Sequence, residues 1–201
     1  LQIECSGEVT LCLNGHTLSY RGSDSTRDVI LSLKYLNTLN LCDCVGTGII
    51  ETNGESGGVS FLGGTFNMYG GTIRNCYVSN SYGSAIYLNS NTTFNMYGGK
   101  ITGNSNGNDN GGAVGSYFDT SKINLYGGSI TGNGKYGVYS CSGPVYVSGD
   151  VKITGNTSGD VYLPKDRTLT VGTLTEGADI GVTSASGEND FIRSGRNKPC
   201  N

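Results

Sequence analysis

One phrase, written three times and then loosely a fourth, constrains this chain more than any other feature. It reads FNMYGGTIRNC from Phe66, FNMYGGKITGN from Phe94 and INLYGGSITGN from Ile123, and VYVSGDVKITGN follows from Val145. The four starts are 28, 29 and 22 residues apart. A period of this size is one supersecondary unit stacked on copies of itself, each copy too poor in apolar side chains to bury a core alone. Such a chain has to build an elongated column.

The inside of a copy can be read residue by residue. Phe66 and Met68, Phe94 and Met96, and Ile123 and Leu125 alternate with Asn67 and Tyr69, Asn95 and Tyr97, and Asn124 and Tyr126. That is the period of a strand whose apolar members face inward and whose Asn and Tyr members face out. A glycine pair follows (70–71, 98–99, 127–128), where the chain bends as a residue with a Cβ would resist. A lone inward isoleucine comes next (Ile73, Ile101, Ile130, Ile153), then Thr-Gly-Asn in the later copies, then a short third strand at 85–88, 113–116, 137–140 and 160–163. Three short strands per repeat, separated by glycine and asparagine corners, predict an all-β, right-handed parallel β-helix of about seven to nine coils. Only 3 prolines occur, as a ladder of backbone donors requires.

Parallel stacking places equivalent residues directly above one another. It predicts an inner ladder of Ile73, Ile101, Ile130 and Ile153, and a corner ladder of Asn104, Asn133 and Asn156 with Cys76 in the preceding rung. Upstream, Val9, Leu11 and Leu13 alternate with polar neighbours up to the turn pair Asn14-Gly15. Strand character returns at 29–33 and 36–42 after a polar loop at 20–28. Variation in coil length falls after the Thr-Gly-Asn corner, as in SNGNDNGG at 105–112. The expected organisation is one β-helix domain over 1–183, clearest at 61–163, with 184–201 as a cap or linker. The opening is already strand-like, so the chain reads as a segment of something longer.

Composition excludes some partners. Thirteen basic against 16 acidic residues give a net charge of −3, which is not that of a nucleic-acid binder. No apolar run approaches the roughly 18–20 residues of a bilayer span, so no membrane insertion is expected. Seven cysteines leave at least one thiol without an internal partner. Cys42-x-Cys44 is too tight for the paired spacing of a zinc knuckle and no second His/Cys cluster answers it, so these residues read as small buried hydrophobes. A Cys12–Cys42 disulfide is open to them if their coils are adjacent, since neighbouring strands lie ~4.8 Å apart.

The phrases VTLCLNGHTL (9–18), LNLCDCVGTGII (39–50), MYGGTI, ITGN and DVYLPKDRTLTV (160–171) resemble parallel β-helix modules of large secreted or cell-wall proteins from gut-type Gram-positive bacteria. The resemblance spans roughly 9–183. It implies an extracellular or cell-wall location, neighbouring domains in a longer chain, and an adhesin-like surface or stalk with a glycan or host-surface ligand. Pectate lyases and related carbohydrate-active enzymes share this fold, so a small polysaccharide lyase or hydrolase is the second reading and a purely structural spacer the third. Fold alone transfers no activity.

The foremost candidate site is the outward row Tyr69, Tyr97 and Tyr126 flanked by Asn67, Asn95 and Asn124. Aromatic rings beside amides offer apolar contact and hydrogen bonds to sugars, and the same ladders also serve simply to hold coils together. Tyr87, Tyr139 and Tyr162 outline a second row interrupted at Gly115. An enzyme would need converging acidic groups. Asp109, Asp119, Asp160, Asp166 and Arg167 are the candidates, none of them recurring in register. Asn108, Asp109 and Asn110 are oxygen-rich enough for Ca²⁺ and equally natural in a plain loop. His16 reads as a turn residue, and Asn91 and Asn156 sit in glycosylation triplets common by chance in so Asn- and Thr-rich a chain.

Overall fold

The computed structural model describes residues 2–3, 7–20, 29–34, 38–54, 56–185 and 189–193. Of the expected loop at 20–28, Tyr20 ends a strand instead, and 21–28 and the end of the tail lie outside the described residues. After β1 (Gln2–Ile3), the first turn is β2 (Glu8–Cys12), β3 (Thr17–Tyr20) and β4 (Val29–Lys34), and the second is β5 (Thr38–Cys42), β6 (Ile49–Thr52) and β7 (Gly57–Leu62). The third holds β8 (Gly64–Met68), β9 (Thr72–Arg74), β10 (Tyr77–Val78) and β11 (Gly83–Leu88), and the fourth β12 (Thr92–Met96), β13 (Lys100–Thr102), β14 (Ser105–Asn106) and β15 (Gly112–Ser116). The fifth is β16 (Lys122–Leu125), β17 (Ser129–Thr131) and β18 (Tyr136–Ser140), the sixth β19 (Val145–Gly149), β20 (Lys152–Thr154) and β21 (Gly159–Leu163). β22 (Leu169–Leu174), β23 (Asp179–Ser184) and β24 (Asn189–Arg193) finish the chain.

Every strand pairs parallel with its equivalent one turn away, apart from β24, which runs antiparallel along β23. The result is an all-β solenoid of about six turns, with no helix among the described residues. Six is fewer than the expected seven to nine, because four of the turns take 27 to 30 residues each and β24, which runs antiparallel, adds no coil. One face is the sheet β2-β5-β8-β12-β16-β19-β22. The other two meet at β23, which pairs with both β20 and β21.

Register turns the repeats into columns, as expected. Phe66 pairs with Phe94 and Phe94 with Ile123, and Met68, Met96 and Leu125 follow in the same sheet. All six are buried, with Phe61, Phe66 and Phe94 stacked at 4.8 and 5.4 Å between centroids. The isoleucine column contains the four predicted members and continues through Ile50 at one end and Ile180 at the other. A third column, Leu31, Val59, Ile86, Val114, Val138, Val161 and Val182, lines the remaining face.

At the corners, the second glycine of each pair lies in the left-handed region: Gly71 at φ +84°, Gly99 at +86°, Gly128 at +79°. A Cβ on Gly99 would stand 2.7 Å from the Gly71 carbonyl oxygen, so glycine is required twice over. At the opposite corner, Asn104, Asn133 and Asn156 form the predicted ladder. Asn104 Nδ2 donates to Asn133 Oδ1 (3.0 Å), Asn133 Nδ2 to Asn156 Oδ1 (2.8 Å), and Asn156 Nδ2 to Asp160 Oδ1 (2.8 Å). The amides all point one way, and the row ends on a carboxylate, which accepts and needs to donate nothing. Just past this corner, β10 and β14 pair as a small two-stranded sheet in the segment where coil length varies.

Candidate functional site: an aromatic face on the column

The outer side of the β8-β12-β16 sheet carries the tyrosine row. Ring centroids of Tyr69 and Tyr97 are 5.0 Å apart with planes 8° from parallel, and those of Tyr97 and Tyr126 are 5.0 Å apart at 13°. Parallel rings in contact are separated face to face by ~3.5–4.0 Å, so a 5.0 Å centroid distance requires a sideways offset of roughly 3–3.6 Å. The rings therefore overlap like roof tiles. Tyr69 and Tyr97 are 51% and 46% exposed, and Tyr126 is half-buried. The 105–112 loop does not cover them. Tyr146 continues the row only loosely, its ring tilted 56° from that of Tyr126.

Beside the rings runs a second polarised amide row. Asn124 Nδ2 donates to Asn95 Oδ1, Asn95 Nδ2 to Asn67 Oδ1 and Asn67 Nδ2 to Asn40 Oδ1, each at 2.8 Å, and Asn40 donates in turn to Glu8 Oε1. Again a carboxylate closes the acceptor end. Asn67 and Asn95 thus each commit one N–H and one lone pair to their neighbours and retain one of each. The next outward column, Glu8, Thr38, Thr65, Thr93 and Lys122, contributes two opposite charges, one at each end. Desolvation, and then the flanking phenols Tyr126 and Tyr69, push the Tyr97 phenol above its ordinary pKa.

The second row is larger than the sequence suggests. Tyr139 and Tyr162 stack at 5.1 Å and 6°. Tyr82 lies over the rung that Gly115 leaves without a side chain: a Cβ on Gly115 would fall 1.8 Å from the Tyr82 carbonyl oxygen, and the Tyr82 ring lies 6.1 Å from that of Tyr139. Tyr117, with Phe118 edge-on at 5.7 Å, and Tyr136 complete the group. Tyr139, at its centre, is buried, and desolvation raises its phenol to about 12. Tyr82 and Tyr117 flank the strands β11 and β15, and Tyr136 opens β18 in a rung whose neighbours are Gly112 and Gly159, so no repeated tyrosine betrays them.

The scattered acidic candidates do not converge into a trio among the described residues. Asp109 is exposed and paired with Lys135 at 2.8 Å, which lowers its pKa. Asp160 is buried as the terminus of the corner ladder, accepting also from the Asn156 backbone N–H at 3.0 Å. Asp166 and Arg167 line a shallow cavity of about 240 Å³ with Tyr162, and Asp119 is exposed elsewhere. Asn108 Oδ1 accepts the Asn110 N–H, an ordinary loop contact. The Asn156 side chain is enclosed in its ladder, whereas Asn91 is exposed.

The cysteines depart from the sequence reading. Cys76 is a buried hydrophobe, its thiol pushed up to about 12 by desolvation. Cys12 and Cys44 are exposed and Cys42 is half-buried, and the partner that Cys42-x-Cys44 lacks in sequence is Cys12, one turn below. Their spacing of 30 and 32 residues hides this until register is known. No protein-family model, no curated protein and no solved structure matches this chain.

Proposed function

We propose that this chain is an extracellular module of a bacterial surface protein, a right-handed parallel β-helix whose Tyr69–Tyr97–Tyr126 face binds an extended, uncharged polysaccharide. Parallel strand-to-strand connections overwhelmingly adopt the right hand. The observation that carries the binding proposal is the exposed, evenly pitched tyrosine stack. Its 5.0 Å pitch is close to one sugar repeat, so successive rings meet successive sugars. Partly exposed ring faces offer apolar contact, and the phenol hydroxyls with the remaining amide N–H groups offer hydrogen bonds. Low charge on this face argues for a neutral chain over a uronate or sulfated one. Each contact is weak alone, and a linear array makes them additive.

Affinity electrophoresis in gels containing neutral plant or bacterial polysaccharides tests the reading. The wild-type chain is retarded by at least one of them, and Tyr97→Ala, which removes the middle ring, abolishes most of the retardation while leaving the melting temperature nearly unchanged. Equal mobility of the two proteins in every gel would sink the proposal. The two polarised amide ladders favour a stalk as the second reading, which predicts no retardation at all and a small stability loss for each tyrosine removed.

A further inference from the structure

The outward column that carries Tyr69, Tyr97 and Tyr126 begins with two cysteines. Cys12 pairs with Cys42, and Leu41 pairs with Met68, so Cys42 stands one rung before Tyr69. At this end the corner is built differently. Where the third turn bends at Gly70-Gly71, the second runs from Asp43 to Gly48, and the inserted residues carry Cys44 back over the column. The Sγ atoms of Cys12 and Cys44 are 3.1 Å apart, and all three sulfurs lie within 4.8 Å of one another.

The arrangement is held from behind. The Asp43 carboxylate accepts the Gly15 N–H at 2.7 Å and the Gly48 N–H at 2.6 Å, tying the corner of the second turn to that of the first. Gly48 has no alternative: a Cβ there would lie 2.5 Å from the Leu13 Cβ and 2.7 Å from the Asp43 Cγ. Buried Leu13 fills the space beneath. Thus the two opening phrases, LCLNG and LCDCVGTG, encode one unit: two cysteines at the ends of adjacent strands, a third on a corner, and an aspartate between them that fixes the corner.

We propose that Cys12, Cys42 and Cys44 form a three-thiolate site for a thiophilic d¹⁰ cation, Zn²⁺ or Cu⁺, with one coordination position left to a ligand from solution. With Zn–S bonds of ~2.3 Å, the sulfurs of a tetrahedral site lie ~3.8 Å apart, inside the spread that these three already have. Closing on the ion takes only side-chain rotation, because two of the ligands sit on strands and the third on a pinned corner. Binding replaces three S–H bonds with three S–metal bonds and releases three protons, so affinity rises with pH. A disulfide would use two of the thiols and leave the third in contact with them; the metal uses all three.

The test uses the full chain, reduced with a phosphine and freed of metal. Titration with Co²⁺ is expected to give the intense thiolate charge-transfer and visible bands of a tetrahedral site at one equivalent, bleached by Zn²⁺. Competition against a Cu⁺ chelator measures the second ion. Cys12→Ser, Cys42→Ser and Cys44→Ser should each lose the bands, while Cys141→Ser, Cys5→Ser and Cys200→Ser keep them. Asp43→Asn, which weakens the corner without touching a ligand, should lower affinity by about tenfold. Circular dichroism of each variant confirms that the column is intact. The proposal is overturned if neither ion binds, if the bands survive replacement of any one of the three cysteines, or if mass mapping finds a Cys12–Cys44 disulfide forming in air with one equivalent of Zn²⁺ present.

Discussion

Replacing Asn133 by alanine tests whether the buried corner ladder holds the turns together. Asn133 Oδ1 is the acceptor for the Asn104 backbone N–H (3.0 Å), and its Nδ2 donates to the Ile101 carbonyl (3.1 Å) and to Asn156 (2.8 Å). Alanine leaves the Asn104 N–H enclosed with no acceptor, which alone costs about 1–3 kcal/mol, and the remaining lost bonds add about 1 kcal/mol. An expected loss of about 3 kcal/mol follows. Asn95→Ala removes two bonds from the outer row, against five at Asn133, and its partners Asn67 and Asn124 are only half-buried, so water replaces the amide. That change should cost about 1 kcal/mol or less. Urea unfolding followed by circular dichroism, with unchanged m-values, gives both numbers. The reasoning is refuted if Asn95→Ala costs as much as Asn133→Ala. Polarity supplies a second check. A carboxylate in this rung cannot donate onward, so Asn133→Asp should cost more than alanine, whereas Asp160→Asn keeps an acceptor at the ladder's end and should be nearly neutral.

Phe94 is fully buried in the phenylalanine stack, so Phe94→Ala should cost about 3–5 kcal/mol. Removing the exposed Tyr97 ring should cost under about 1 kcal/mol, and the reverse order of denaturation midpoints would mean the strand faces are inverted. Gly99→Ala forces a Cβ against the Gly71 carbonyl at positive φ, whereas Gly46→Ala, at φ +87°, meets no atom within 4 Å. The first should therefore lower the midpoint well beyond the second, and equal midpoints would contradict the close approach of the turns. Ending the chain after Ser184 removes β24, the antiparallel strand along β23, and bares a parallel edge. Sedimentation should then show concentration-dependent association, and a strictly monomeric product would show that β24 protects nothing.

The fold was legible because identical residues recur at identical places in a turn. Phe66 and Phe94 announce a column whether or not the turns between them are understood, and the isoleucines do the same. Asn104, Asn133 and Asn156 were legible as a ladder, but their polarity was not, since donor direction depends on which neighbour terminates the row. Asp160 looked like a stray acid in sequence and is the end of that row. The tyrosine stack was legible as a row and illegible as a stack, because the offset of rings 5.0 Å apart is a matter of side-chain torsion. Tyr82 and Tyr117 reach their cluster from outside the strands, where counting residues gives no register, and Tyr136 stands in a rung whose neighbours are glycines. Cys12, Cys42 and Cys44 fall in the two turns whose corners differ from all the others. There the repeat period carries no information, and only strand pairing brings the thiols together.

That difference also separates the two sites by kind. On a solenoid every outward position becomes a column, so a site made from a repeated residue extends as far as the repeats do and gains strength by length. The tyrosine face is such a site: three overlapping rings of one type, with Tyr97 touching both of the others, suited to a ligand that is itself a repeat. A site made where the repeats break off cannot extend. The thiol cluster occurs once, uses three different positions in two turns, and depends on Asp43 and Gly48 as much as on its sulfurs. Because Cys42 occupies the rung beside Tyr69, the two sites share a boundary, and the column passes from a graded, extended surface to a single discrete one within one strand spacing.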